Sequence, residues 1–176
     1  LHQAAHYLQR GLSGSGASGS VSVFAFSQVP GGLIWSSLAR WVPLRLLLAL
    51  AGFTVAAGAL ATSISSTLPG ALASAAALGV GVGGLHVLLR LAWADYYGRR
   101  YLGSIRGVTL PVQIAGQALG PTIAGFAYDA RDSYQLPFVL FAVVVSMASL
   151  LVLRATPPGY SSRRDPLRPS SPLSTS

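Results

Sequence analysis

Four polar side chains stand inside otherwise apolar stretches of this sequence: Gln28, His86, Gln113 and Gln117. Their chemistry is hydrogen bonding. An amide or imidazole left unpaired in an apolar medium costs about 1–3 kcal/mol, so each needs another helix, water or a bound solute as its partner. Gln113 and Gln117 lie four residues apart and share one helix face, as do His86 and Arg90. For the glutamine pair, a solute-binding edge and simple adhesion to a neighbouring helix are equally open. Gln28 precedes Pro30, and a polar group near the middle of a bent membrane helix is how transporters build sites, so Gln28 leans towards a cavity. The favoured reading of Arg90 is that its stem lies along the helix and its head reaches the interface. For His86 it is a neutral imidazole bonded to a neighbouring helix, with a role in substrate or proton binding as the minority reading.

A second group is charged. Asp95, Arg99, Arg100 and Arg106 flank a short basic loop, YGRRYLGSIRG, and form either helix-end charge compensation or a gating latch. Beyond it, Gly116, Gly120 and Gly125 carve a flat face on an uncharged run, and Pro121 adds a bend. Gly79 and Gly83 repeat the four-residue glycine spacing, which signals close helix packing. Trp35, Trp41 and Trp93 fall where indoles anchor at a membrane interface. A serine protease reading rests on GASG at residues 16–19, with Ser18 as nucleophile and His86 as its base. It is disfavoured because Ser18 and His86 belong to opposite ends of their helices. Phosphate-loop, dinucleotide and zinc-protease motifs are absent from the sequence, and no cofactor or metal is expected.

The elements that must position these residues are membrane helices. Of 176 residues 52% are hydrophobic and only 9% charged, and the mean hydropathy is +0.56, whereas soluble domains carry about 25% charge. The net charge of +8 comes from arginines set between apolar blocks, a placement that fits membrane topology and argues against nucleic acid as a partner. Cysteine is absent. Crossing a hydrocarbon core of about 30 Å takes about 20 helical residues. Five stretches meet that length: 17–39, broken by Pro30, Gly31 and Gly32, then 46–64, 71–94, 107–128 and 136–153. Residues 1–12 read as the last turns of a further helix, 13–20 as a flexible Gly/Ser loop, and 65–70 as a turn. The Pro-, Ser- and Arg-rich segment 156–176 reads as a disordered tail. With no leader peptide and Leu1 first, the chain reads as the C-terminal part of a longer polypeptide.

If the helices alternate in direction, Arg40, Arg45, Arg90, Arg99, Arg100, Arg106, Arg154, Arg163, Arg164 and Arg168 fall on one side of the membrane, and only Arg10 and Arg131 on the other. Ten against two predicts a cytoplasmic C-terminus.

This layout resembles the C-terminal half of a major facilitator superfamily transporter. DYYGRRYLGSIRG is similar to the loop between that family's tenth and eleventh helices in the monocarboxylate-porter and oxalate/formate-antiporter branch. LGPTIAGFAYDARDSY is similar to the branch's eleventh helix, and HYLQRGLS to the end of its seventh. The resemblance covers residues 1–155. Two departures stand out. Arg40 in LARWVPLR takes the place of an acidic residue that the family's loop usually carries. The eighth helix, where organic-anion carriers often place a cation, offers only Gln28. The resemblance implies an all-α integral membrane fold: the C-terminal six-helix bundle of a twelve-helix protein, with most of the first of the six missing. It implies secondary active, alternating-access transport of a small solute, an organic anion among the candidates, and not catalysis. The seventh, eighth, tenth and eleventh helices line the family's central cavity, which favours Gln28 with Gln113 or Gln117 as substrate contacts. The expected partners are the lipid bilayer of the plasma membrane, a small-molecule substrate and the N-terminal half of the same polypeptide. A purely structural or assembly protein is the other reading.

Overall fold

The computed structural model describes residues 2–97, 102–131 and 135–154; for residues 2, 96, 97, 102, 117, 121, 123, 124 and 127–131 it places the backbone alone. Among the described residues the regular structure is helical throughout: α1 (His2–Gln9), α2 (Gly14–Leu38), α3 (Leu44–Ile64), α4 (Leu68–Tyr97), α5 (Leu102–Arg131) and α6 (Gln135–Arg154). The all-α architecture expected from the sequence stands. Residues 14–38, 44–64, 68–95 and 135–154 are long and apolar enough to cross a membrane. Helix α5 has 30 residues, about 45 Å at 1.5 Å per residue, and carries Arg106, Thr109, Gln113 and Thr122 along that length. The segment 156–176, read as a tail, lies outside the described residues.

The first turns of α2 correct the sequence reading. Residues 13–20 are not a loop: Ser13 caps α2, its Oγ accepting from the Gly16 N–H at 3.2 Å. Within the helix, the hydroxyls of Ser20 and Ser22 donate to the carbonyls of Gly16 (2.9 Å) and Ser18 (3.2 Å). Each hydroxyl is satisfied by its own helix, so a serine-rich run survives in an apolar setting where water cannot compete for it. Helix α2 also runs unbroken through Pro30. Proline costs less at Pro69 and Pro137, in the first turns of α4 and α6, where the missing N–H has no helical acceptor. At the end of α1, Gly11 adopts φ +85°, and the Gly11 and Leu12 N–H groups donate to Leu8 and Tyr7 carbonyls at 3.0 Å. Such a left-handed cap suits glycine, which carries no Cβ.

Helix α4 is the centre of the bundle, packed against α2 and α3, with α6 lying along α3. Three buried clusters follow its length. Tyr7, Ala17 and Ala71 fill one end. Val55, Ala56, Ala59, Leu78 and Ala142 fill the middle. Trp35, Leu47, Leu48, Ala51, Leu88 and Ala92 fill the end where α2 passes into α3 beside Arg40 and Arg45. Trp35, expected as an interface anchor, is a core residue: its Nε1 donates to the Val80 carbonyl at 3.2 Å and its ring lies over Gly84. Trp41 is 87% exposed at that end, as an anchor should be. Helix α5 differs from the rest, resting lightly on α4 and α6 and leaving Val108, Val112, Ile114 and Phe126 exposed.

Candidate functional site

Gln28 owes its position to glycines on the opposing helix. A Cβ at Gly79 would fall on the carbonyl of Phe24, and one at Gly83 on the carbonyl of Gln28. From the other side, a Cβ at Gly31 would come within 2.6 Å of the Val80 Cα and carbonyl oxygen. The two backbones therefore touch, the approach that small residues permit between membrane helices. Gly31 and Gly32, expected to break α2, are contact points in this seam. The Gln28 side chain is half-buried beside the seam and has no hydrogen bond among the described residues. Its amide is open to a partner from outside the chain.

His86 and Gln113 meet elsewhere. They line a cleft of about 230 Å³ between α4 and α5, together with Leu89, Arg90, Trp93, Arg106, Thr109 and Leu110. On each helix the lining residues follow an i, i+3, i+4, i+7 spacing, so each helix contributes one face. The helices run in opposite directions, which sets His86 and Gln113 at the inner end of the cleft and Trp93 and Arg106 at the outer end. Both arginines are exposed and, among the described residues, neither has an ion pair or hydrogen bond. Thr109 is already satisfied, donating to the Ile105 carbonyl at 2.9 Å. Among the described residues the free donors of the cleft are thus two guanidinium groups, an amide, an imidazole and the indole N–H of Trp93, and no carboxylate lines it.

The remaining sequence candidates separate. Asp95 is exposed and does not line the cleft, while Arg99 and Arg100 lie outside the described residues. The side chains of Gln117 and Pro121 are likewise outside them. A Cβ at Gly116, Gly120 or Gly125 would meet no atom of the described residues within 4 Å. Ser18 sits on the exposed face of α2, near the end where Gly16 meets Leu68. His86 is 18 residues further along α4 than Leu68, about 27 Å by helical rise. The two are not assembled as a dyad.

A cluster that the sequence reading missed ties α1 to the bundle. The His6 Nε2–H donates to the Thr62 carbonyl at 3.0 Å, and the ring lies 5.2 Å from that of Phe138. The Tyr7 hydroxyl reaches Ser74 Oγ at 2.8 Å and the Ala71 carbonyl at 3.2 Å. Arg10 donates to the Ser63 carbonyl at 2.6 Å. The signal available in the sequence was HYLQR, four polar groups in five residues, followed by a glycine cap.

This chain belongs to the Major Facilitator Superfamily: the family's pattern matches residues 4–175, and a helical bundle with four helices long and apolar enough to cross a membrane accords with it. The match extends beyond α6, further than the resemblance over residues 1–155. Monocarboxylate transporter 11 of Homo sapiens is similar, with 28% identity over 162 residues that make up 87% of this chain and 34% of that protein. Its counterpart in Mus musculus is 27% identical over 162 residues, 87% of this chain and 36% of that protein. The chain spans about a third of the length of these curated relatives.

Proposed function

We propose that this chain is the C-terminal half of a secondary active transporter that carries a small organic anion by alternating access. In this reading α2, α3, α4 and α6 move as one body against an N-terminal half, and the substrate binds between the halves near the bilayer midplane. The observation that carries it is the contrast in packing around α4. Helices α2 and α4 touch backbone to backbone, whereas α5 turns Gly116, Gly120 and exposed apolar side chains to open space. A helix with so little partner in its own chain has a face free for the other half. The arginine partition supports a cytoplasmic end for Arg40, Arg45, Arg90, Arg106, Arg154 and the C-terminal tail, and in this reading the membrane is the plasma membrane.

The similarity to monocarboxylate transporter 11 supports an anionic solute. Substrate contacts are assigned to Gln28, with Gln113 or Gln117, and His86 stands at the inner end of the cleft beside Gln113. Gln28 and Gln113 offer amide donors without partners among the described residues. Losing one net hydrogen bond of about 1 kcal/mol weakens binding about fivefold. In the full-length transporter, Gln28→Ala and Gln113→Ala are expected to raise KM for a labelled monocarboxylate by about that factor, with expression intact. Unchanged uptake kinetics in both variants would remove these residues from the site.

A further inference from the structure

The outer end of the α4–α5 cleft does something that solute transport leaves unexplained. Arg90 and Arg106 come from different helices, are exposed, and have no counter-charge among the described residues. Arg106 is the fifth residue of α5, and Arg90 lies five residues before Asp95, where the apolar stretch of α4 ends. The Cα atoms of both arginines therefore lie within about 8 Å, by helical rise, of the end of the apolar stretch of α4 and of the start of α5. Trp93, half-buried between them, is the residue type that settles at headgroup depth. Leu89 and Leu110 form the apolar wall further in. That wall continues over α5 onto Val108 and Val112, which are 71% and 69% exposed.

A soluble anion needs the cations and has no use for the wall. An amphiphile with an anionic head and apolar tails matches both, and basic pockets between membrane helices on the cytoplasmic side are where anionic headgroups bind. We propose that the outer end of this cleft binds the phosphodiester headgroup of an anionic phospholipid of the inner leaflet. Arg90 and Arg106 grip the phosphate, Trp93 packs beside the headgroup, and the acyl chains lie along α5. Guanidinium suits this role because it presents several N–H donors in a plane that matches phosphate oxygens. A lipid seated here also fills part of the space that α5 leaves beside α4. The inference rests on the proposed topology, which puts this end in the cytoplasm, and is independent of which solute is carried.

The test uses purified full-length transporter and measures lipid retention by native mass spectrometry, so it does not depend on uptake. Phosphatidylglycerol should be retained in preference to phosphatidylcholine. The double variant Arg90→Gln with Arg106→Gln should bind it about thirtyfold more weakly, from about 1 kcal/mol per arginine near an anionic surface. Arg45→Gln, at the same end of the bundle but outside the cleft, should bind as the unaltered protein does. Equal retention of the two lipids, or equal losses in Arg45→Gln and the double variant, overturns the proposal. Inorganic phosphate that protects against thermal unfolding as strongly as phosphatidylglycerol also overturns it, assigning the cleft to a soluble anion. Should the double variant fail to fold, a photoactivatable phosphatidylglycerol decides the matter with the unaltered protein. Crosslinks to the segment holding Trp93 or Thr109 support the site, and crosslinks confined to other segments overturn it.

Discussion

The seam between α2 and α4 and the cleft between α4 and α5 share a helix, and each has a pair of glycines four residues apart beside it. Gly79 and Gly83 are covered so closely that a methyl group on either would strike backbone of α2. Gly116 and Gly120, with the same spacing, face nothing among the described residues. Spacing alone therefore says that a helix has a flat face; it does not say what lies on it. The partner decides. Helix α2 brings Gly31 and Gly32 of its own to the seam, and both surfaces are small. Helix α4 faces α5 across the cleft with Arg90, Trp93 and Leu89, side chains far larger than the glycines of the seam.

The sharpest way to break this comparison is to put bulk into the seam. Overpacking a core costs about 1–3 kcal/mol, and more where the clash is with backbone that cannot rotate away. Gly83→Leu is expected to cost about 3 kcal/mol or more, read as a large loss of folded full-length protein and a fall in its thermal midpoint. A near-normal yield and midpoint would show that α2 and α4 can part without harm, and the rigid-body role given to them would go.

The second effect is at the opposite end, where polar contacts rather than glycines hold the helices. Tyr7→Phe removes the hydroxyl that reaches Ser74 and the Ala71 carbonyl. It should destabilise the protein by about 1 kcal/mol, less than the seam variant, since net hydrogen bonds cluster near that value.

The same contrast explains what could be seen in the sequence. Apolar runs bounded by arginine and proline gave the membrane helices to within a few residues, because hydrocarbon thickness and backbone hydrogen bonding admit few alternatives. Residues 13–20 were misjudged because Gly and Ser composition signals flexibility in water, while here the hydroxyls close onto their own helix. Trp35 was placed at the interface because tryptophans gather there. Its burial depends on Gly84, 49 residues away, leaving room for the indole. Gln28 and Gln113 were recognisable as polar residues in apolar surroundings, yet their separation was not. Whether two such residues share a cavity is set by helix rotation, and rotation is set by packing partners that a single helix does not reveal.

The smallest effect on stability, and the most informative about the other half, is expected at Gly120. No atom of the described residues lies within 4 Å of where its Cβ would be, so leucine there disturbs nothing among them. Substitutions away from packed features change stability by less than about 0.5 kcal/mol. Gly120→Leu should therefore leave the thermal midpoint of the full-length protein close to normal, in contrast to Gly83→Leu. Uptake is the discriminating measurement. If α5 works against the N-terminal half, a leucine on its flat face lies in the path of the moving surfaces and should slow transport while the protein still folds and reaches the membrane. A fall in midpoint as large as that of Gly83→Leu would mean that α5 is clamped tightly after all. Normal uptake would mean that this face meets only lipid. Folding retained with transport lost is the outcome that separates a surface used for motion from one used for assembly, and it is the outcome expected of two glycine pairs with the same spacing and different neighbours.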